Sequence, residues 1–134
     1  MSVFADTSAL YALLDRDDRF HVAAAATWKQ LLTNDEPLVT SNYVILECFA
    51  LVQRRLGMDA VRDLATRLLP LLTTEWIGDS DHELAEAALL AAGRRDISFV
   101  DFASFQVMRR TDVVRAFTFD PHFTEQGLQI LPGA

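Results

Sequence analysis

Cysteine occurs once in the 134 residues, at Cys48, so no disulfide can form within the chain and a reducing compartment is expected. Lysine also occurs once, at Lys29; the other eleven cationic residues are arginines. Glycine and proline are few, at five and four, and no low-complexity run, repeat or linker interrupts the chain. A single domain over residues 1–134 is therefore expected, long enough to bury a real core. Glu47 and Pro70 break the longest apolar runs well short of the 18 or more residues of a membrane helix. The first residues lack a basic region followed by an apolar core, so no leader is expected, and the reading is of a soluble, cytoplasmic protein with no membrane partner. Positive charge is the scarcer sign: 12 cations face 19 acids for a net charge of −7. The field of the whole protein thus offers no non-specific attraction to nucleic acid or to an anionic membrane.

What the chain does have is apolar residues, 51% of the total, with a mean hydropathy of +0.14. That excess fits either a large core or extra apolar surface used for a partner or a second copy. Arginines come in pairs at Arg54-Arg55, Arg94-Arg95 and Arg109-Arg110. Each pair suits a solvated helix end, and each is also able to grip phosphate.

Short bounded apolar segments alternate with longer helical ones. Ser2–Ala5, Leu38–Thr40, Thr73–Ile77 and Arg115–Phe119 read as strands, with Leu128–Leu131 as a further edge strand. Between them, helices are expected at Ala9–Leu14, Phe20–Thr33, Tyr43–Leu56, Ala60–Leu69, from Asp79, Ser80 or Asp81 to Ala92, and after Ser98. Pro37, Gly57, Pro70 and Gly93 supply the breaks. The alternation predicts an α/β fold, a three-layer α/β/α sandwich around a central, mostly parallel sheet of four to five strands.

Four acids stand out against this background. In Val3-Phe4-Ala5-Asp6-Thr7-Ser8, an apolar strand runs into an aspartate at its C-terminal end, where open parallel sheets bind ligands. Asp6, Thr7 and Ser8 are equally the residue types that cap a helix. Asp120, after Ala116–Phe119, repeats the arrangement on a second strand, though aspartate is also common there for turn reasons. Glu47 lies in the apolar helix Tyr43–Val52, on what reads as a core face. A bare carboxylate there carries a desolvation cost that an arginine partner, a proton or a metal ion must offset. Asp101 lies in the first turn of a helix capped by Ser98, with Asp96 and Ser98 expected to satisfy that end. His21, His82 and His122 are far apart in sequence and read as ordinary polar residues.

Four carboxylates meeting in one crevice would repel one another, and a hard divalent cation relieves that repulsion. An oxygen-only set selects Mg²⁺ or Mn²⁺ over zinc, and such a cation suits phosphoryl chemistry. Taken in order, Asp6-Thr7-Ser8, Glu47, Ser98-Phe99-Val100-Asp101 and Thr118-Phe119-Asp120-Pro121-His122-Phe123 resemble the PIN-domain ribonucleases, and within them the VapC-type toxins of bacterial toxin–antitoxin pairs. The resemblance spans essentially the whole chain; each motif alone is weak, and the four in this order are fairly specific. It implies metal-dependent endonucleolytic cleavage of RNA, with Asp6, Glu47, Asp101 and Asp120 as catalytic acids and metal ligands and Thr7, Ser8 and Thr118 in support. It further implies an antitoxin lying over the groove and a homodimer. Phe102 follows the third acid where relatives carry a small residue, so an altered pocket wall is expected.

Other readings fit less well. A haloacid-type phosphatase requires a second aspartate two residues after the first, where Ser8 stands, and a receiver-like phospho-acceptor requires a late lysine. A non-catalytic PIN-like binding module would show a lost acid, and all four are present.

Overall fold

The computed structural model describes residues 1–133. Five strands form one sheet: β1 (Val3–Ala5), β2 (Leu38–Ser41), β3 (Thr73–Glu75), β4 (Arg115–Phe117) and β5 (Gln129–Leu131). Their order is β3-β2-β1-β4-β5, and every neighbouring pair is parallel. The helices are α1 (Thr7–Leu14), α2 (His21–Thr33), α3 (Asn42–Leu56), α4 (Met58–Asp63), α5 (Asp79–Ala92), α6 (Phe99–Arg110) and α7 (His122–Glu125). This is the expected three-layer α/β/α architecture, with the sheet parallel throughout.

Val3, Phe4 and Ala5 are consecutive and all fully buried, so both faces of β1 are covered. Successive strand residues point to opposite faces, so only a central strand reads as an unbroken apolar run. Phe117 of β4 is likewise fully buried and stacks on Trp28 of α2, with ring centroids 5.9 Å apart. Burying each such ring contributes roughly 2–3 kcal/mol before entropy is counted. The outer strands β3 and β5 are three residues each and partly exposed, which leaves little edge for unwanted pairing.

Strand order places the site. From β1 the chain steps through β2 to β3 in one direction, then crosses back to β4 and β5 on the other side. The order therefore reverses between β1 and β4, and a crevice opens at their C-terminal ends. Asp6 directly follows β1, and Thr118–Asp120 directly follow β4. Asp6 N–H donates to Phe117 O across the pair at 3.0 Å, which fixes the two strand ends in register.

Several boundaries differ from expectation for local reasons. β3 stops at Glu75 because Asn42 captures the next turn: its Oδ1 accepts from Ile77 N–H at 2.7 Å, and Trp76 is left exposed. β4 stops at Phe117 because Phe119 N–H turns to Ser8 Oγ (3.0 Å) and Asp120 N–H to Thr118 Oγ1 (3.0 Å). The helix expected over Ala60–Leu69 begins at Met58, then widens into a π-helical turn at Leu64–Leu68 and tightens at Leu69–Leu71. Pro70 lacks an N–H and crowds the carbonyl four residues back, so a regular α-turn cannot continue through it. The single turn α7 was not expected. Among the described residues no helix is long and apolar enough to cross a membrane.

Candidate active site

Asp6 is only 3% exposed, and its Oδ2 accepts hydrogen bonds from Ser8 Oγ and from Thr118 Oγ1, both at 2.9 Å. Each hydroxyl has a single proton and gives it to Asp6, so each is left to accept: Ser8 from Phe119 N–H, Thr118 from Asp120 N–H. The two hydroxyls thus tie the ends of β1 and β4 together around one carboxylate. Burial raises the Asp6 pKa to about 6 against the opposing pull of the Thr118 and Ser8 bonds. The expected helix cap does not form. Asp6 occupies the N-cap position of α1 without a capping side-chain bond, because its carboxylate is turned to Ser8 and Thr118. Thr7 and Ser8 lie within the helix itself, and Thr7 Oγ1 is buried with no hydrogen-bond partner.

Asp101, also buried, is placed by α6. Ser98 Oγ accepts from Asp101 N–H at 3.1 Å, and the Asp101 carboxylate accepts from Ser98 N–H at 3.4 Å. This reciprocal capping box corrects the expectation that Asp96 and Ser98 complete that helix end without Asp101. Asp96 faces elsewhere, held by Arg94 at 2.8 Å. The Asp101 pKa is raised to about 7, first by burial and then by the charges of Asp6 and Asp120. Asp120, half-buried, accepts from His122 N–H at 2.9 Å.

Glu47 joins these acids from α3, but not from the core. The buried residues of that helix are Val44, Cys48 and Val52, whereas Leu46 is 70% exposed and Glu47 is half-buried on the wall of the cleft. The helix is apolar on more than its inward face, and that hid which side Glu47 takes. Among the described residues Glu47 forms no ion pair. Cys48 is fully buried and its thiol is pushed up to about 12 by that burial, so it is no nucleophile.

A cleft of about 500 Å³ is lined by Asp6, Thr7, Ser8, Glu47, Ser98, Asp101 and Asp120, with Ala50, Leu51 and Arg54. All four sequence-predicted acids therefore meet at one opening, and Thr118 braces it from beneath. Arg54 was not singled out from its partner. It lies seven residues after Glu47, two helical turns along the same face. Arg55 instead sits over the Tyr11 ring at 5.6 Å, and Arg110 pairs with Asp81 at 2.8 Å. Phe102 corrects another expectation: it packs edge-on against Phe105 (5.9 Å) and lines a small cavity toward α5, not the cleft. His122 also stands beside the acids, its Nδ1 2.8 Å from Asp120 Oδ1. Its sequence signal was the spacing Asp120-Pro121-His122, two residues apart around a rigid turn.

Asp81 shows what a structural buried acid looks like here. It is 6% exposed and held by Arg110 and Gln106. Asp6 and Asp101 are as deeply placed yet have hydroxyl and amide partners only. Buried oxygen donors of like charge, with no arginine among their bonds, fit a hard divalent cation, and Asp101, Asp120 and His122 each offer a ligand atom within 4.8 Å of the others.

The raised carboxyls give a signed prediction. A carboxyl held above its unfolded pKa binds more protons in the folded chain, so stability falls as pH rises from about 4 to about 7. The metal-free protein should melt at a lower temperature at pH 8 than at pH 5. Asp101→Asn should recover roughly 2 kcal/mol, a few degrees, at pH 8 and less than half of that at pH 5. Thermal scans in chelator at both pH values check this, and an equal gain at both would contradict it.

Comparison with known proteins places the fold in a family. The PIN domain family matches residues 3–127. The 23S rRNA-specific endonuclease VapC20 of Mycobacterium tuberculosis is 36% identical over 127 residues, covering 93% of this chain and 94% of that one. The crystal structure of that VapC20, described as a Sarcin-Ricin loop cleaving toxin, superposes with a TM-score of 0.82 at 34% identity over 94% of this chain and 95% of that one. VapBC2 from Rickettsia felis, solved bound to a DNA fragment from its promoter, shares the fold at a TM-score of 0.72 and 13% identity, over 97% of each chain. Matched over residues 3–127 by the family and at 36% identity over 93% of its length by a VapC protein, the chain belongs to the PIN-domain family and, within it, to the VapC-type proteins.

Proposed function

We propose that this protein is a Mg²⁺- or Mn²⁺-dependent endoribonuclease, the toxin of a toxin–antitoxin pair, in which Asp6, Glu47, Asp101 and Asp120 hold the cation and carry out catalysis. The observation that supports this best is the meeting of four acids in one cleft without an arginine bonded to any of them. When bound, the cation would lower the pKa of an attacking water and stabilise charge on the leaving oxygen. The protein's own groups do the rest. Ser8 and Thr118 fix the orientation of Asp6, and the capping box fixes Asp101. Glu47, half-buried on the α3 wall of the cleft, would accept the proton of the attacking water. Arg54, on the same wall, is free to grip a phosphate oxygen of the RNA.

Water as nucleophile bypasses the ribose 2′-hydroxyl, so cleavage should leave no 2′,3′-cyclic phosphate. The likeness to VapC20 makes 23S rRNA the first substrate to try. An apolar hollow formed by Tyr43, Leu46, Ala50, Phe99 and Val100 adjoins the acid cleft through Glu47 and Ala50. It offers an antitoxin segment a foothold from which to cover the acids. Exposed Trp76 and Leu90 add apolar surface suited to a homodimer.

Purified protein with Mg²⁺ or Mn²⁺ should cut 23S rRNA in intact ribosomes, and chelator or Asp6→Asn should reduce cleavage by at least ~10³-fold. Cleavage that survives both treatments would rule out the mechanism. Arg54→Ala should raise KM about tenfold with kcat nearly unchanged, the mark of lost phosphate binding rather than lost chemistry. A fall in kcat at constant KM would instead place Arg54 in the chemical step. Expression of the gene alone should arrest growth, and expression with its antitoxin should restore it; equal growth in both cultures would remove the toxin role.

A further inference from the structure

His122 stands at the rim of the acid cleft with both ring nitrogens near carboxylates. Nε2 is hydrogen-bonded to Asp96 Oδ2 at 3.3 Å. Nδ1 lies 2.8 Å from Asp120 Oδ1 but outside hydrogen-bond geometry, and although shielded from water it has no hydrogen-bond partner.

Asp96 decides which nitrogen carries the proton. Arg94 places Nε 3.0 Å from one of its oxygens and Nη2 2.8 Å from the other, and reaches Glu125 through Nη1 at 3.0 Å. That fork holds the Asp96 carboxyl down at about 2, so Asp96 is an ionised group that only accepts. The hydrogen bond to that acceptor comes from Nε2–H, and in the tautomer that makes it Nδ1 is the ring nitrogen with the lone pair. That lone pair belongs to the group in which Asp101, Asp120 and His122 each present a ligand atom within 4.8 Å of the others. A nitrogen lone pair and a carboxylate oxygen 2.8 Å apart repel unless a proton or a metal cation lies against both, and Nδ1 is outside the geometry for a proton bridge to Asp120. A histidine whose far N–H is fixed by a carboxylate is the arrangement by which proteins orient an imidazole toward a metal.

We propose that His122 is a ligand of the catalytic cation, through Nδ1, alongside Asp101 and Asp120, with Asp96 and Arg94 as the pair that sets its tautomer. The inference rests on the metal-dependent reading given above. It goes beyond that reading in placing a nitrogen among the oxygen donors, and imidazole suits transition-metal ions better than Mg²⁺. Mn²⁺ is therefore the fitting occupant.

The test uses the full chain, without a histidine tag and labelled with ¹⁵N-histidine, titrated with Mn²⁺ alone. Pulsed EPR of the wild-type complex should show coupling of Mn²⁺ to a histidine nitrogen, and His122→Gln should abolish that coupling. Mn²⁺ affinity, read by calorimetry, should fall about tenfold or more in His122→Gln, and Asp96→Ala should weaken it in the same direction. Wild-type protein that binds Mn²⁺ with oxygen ligands only would overturn the proposal while leaving the nuclease reading intact. Nitrogen coupling that persists in His122→Gln would overturn it as well, assigning the ligand to His21 or His82. Absence of any Mn²⁺ binding by the wild type would overturn both readings together. Should His122→Gln fail to fold, a variant carrying both His21→Gln and His82→Gln should keep the coupling, and its loss there would overturn the proposal.

Discussion

Asp6 is the point on which the molecule turns. Its backbone closes the register between β1 and β4, and its carboxylate is the acceptor around which Ser8 and Thr118 are arranged. Two hydrogen bonds do not repay the desolvation of that carboxylate, which is why its pKa stays raised at about 6. Asp101 sits in the same field, raised to about 7 by burial and by its acidic neighbours. The fold thus concentrates negative charge at the place where its strand order reverses. Elsewhere its buried charge is neutralised locally, as Asp81 is by Arg110.

Much of this was legible in the sequence because the signals were physical and local. β1 and β4 are apolar runs that end on a hydroxyl or an acid, and the parallel sheet brings such ends together whatever the loops do. Glu47 was legible as an acid out of place but not in its burial. The surrounding apolar residues, Leu46 and Ala50, turned out to be surface rather than core, and single-chain periodicity does not separate a core face from a docking face. The capping role of Asp101 was hidden because Asp96 offered a rival five residues earlier. Only the structure shows that Arg94 claims Asp96. His122 was hidden by sequence distance: nothing in the chain announces that Asp96, 26 residues earlier, would hold its far nitrogen.

The arginines teach a related lesson. Three pairs looked equivalent, and the fold separates them by what lies within reach. Arg94 and Arg110 are committed to carboxylates, and Arg55 rests over Tyr11. Arg54 alone among the paired residues lines the acid cleft, where it lies along the Glu47 wall. Identity and spacing in the sequence were the same for Arg54 and Arg55; one helical step of about 100° gave them different surroundings.

Net charge and local charge then combine. A chain of net charge −7 repels RNA at long range, and a cleft of uncompensated carboxylates repels a phosphate at short range. On the proposed reading the divalent cation relieves three strains at once: mutual repulsion of the buried acids, the lone pair of His122 against Asp120, and the barrier to phosphate entry. The same binding event that makes the cleft reactive would therefore also stabilise the fold and admit the substrate. A cleft that is unfavourable to RNA until a cation occupies it couples RNA binding to the presence of the group that cuts it. Arg54, a single positive charge at the cleft wall, is too little to substitute for that cation but is well placed to orient what it attracts.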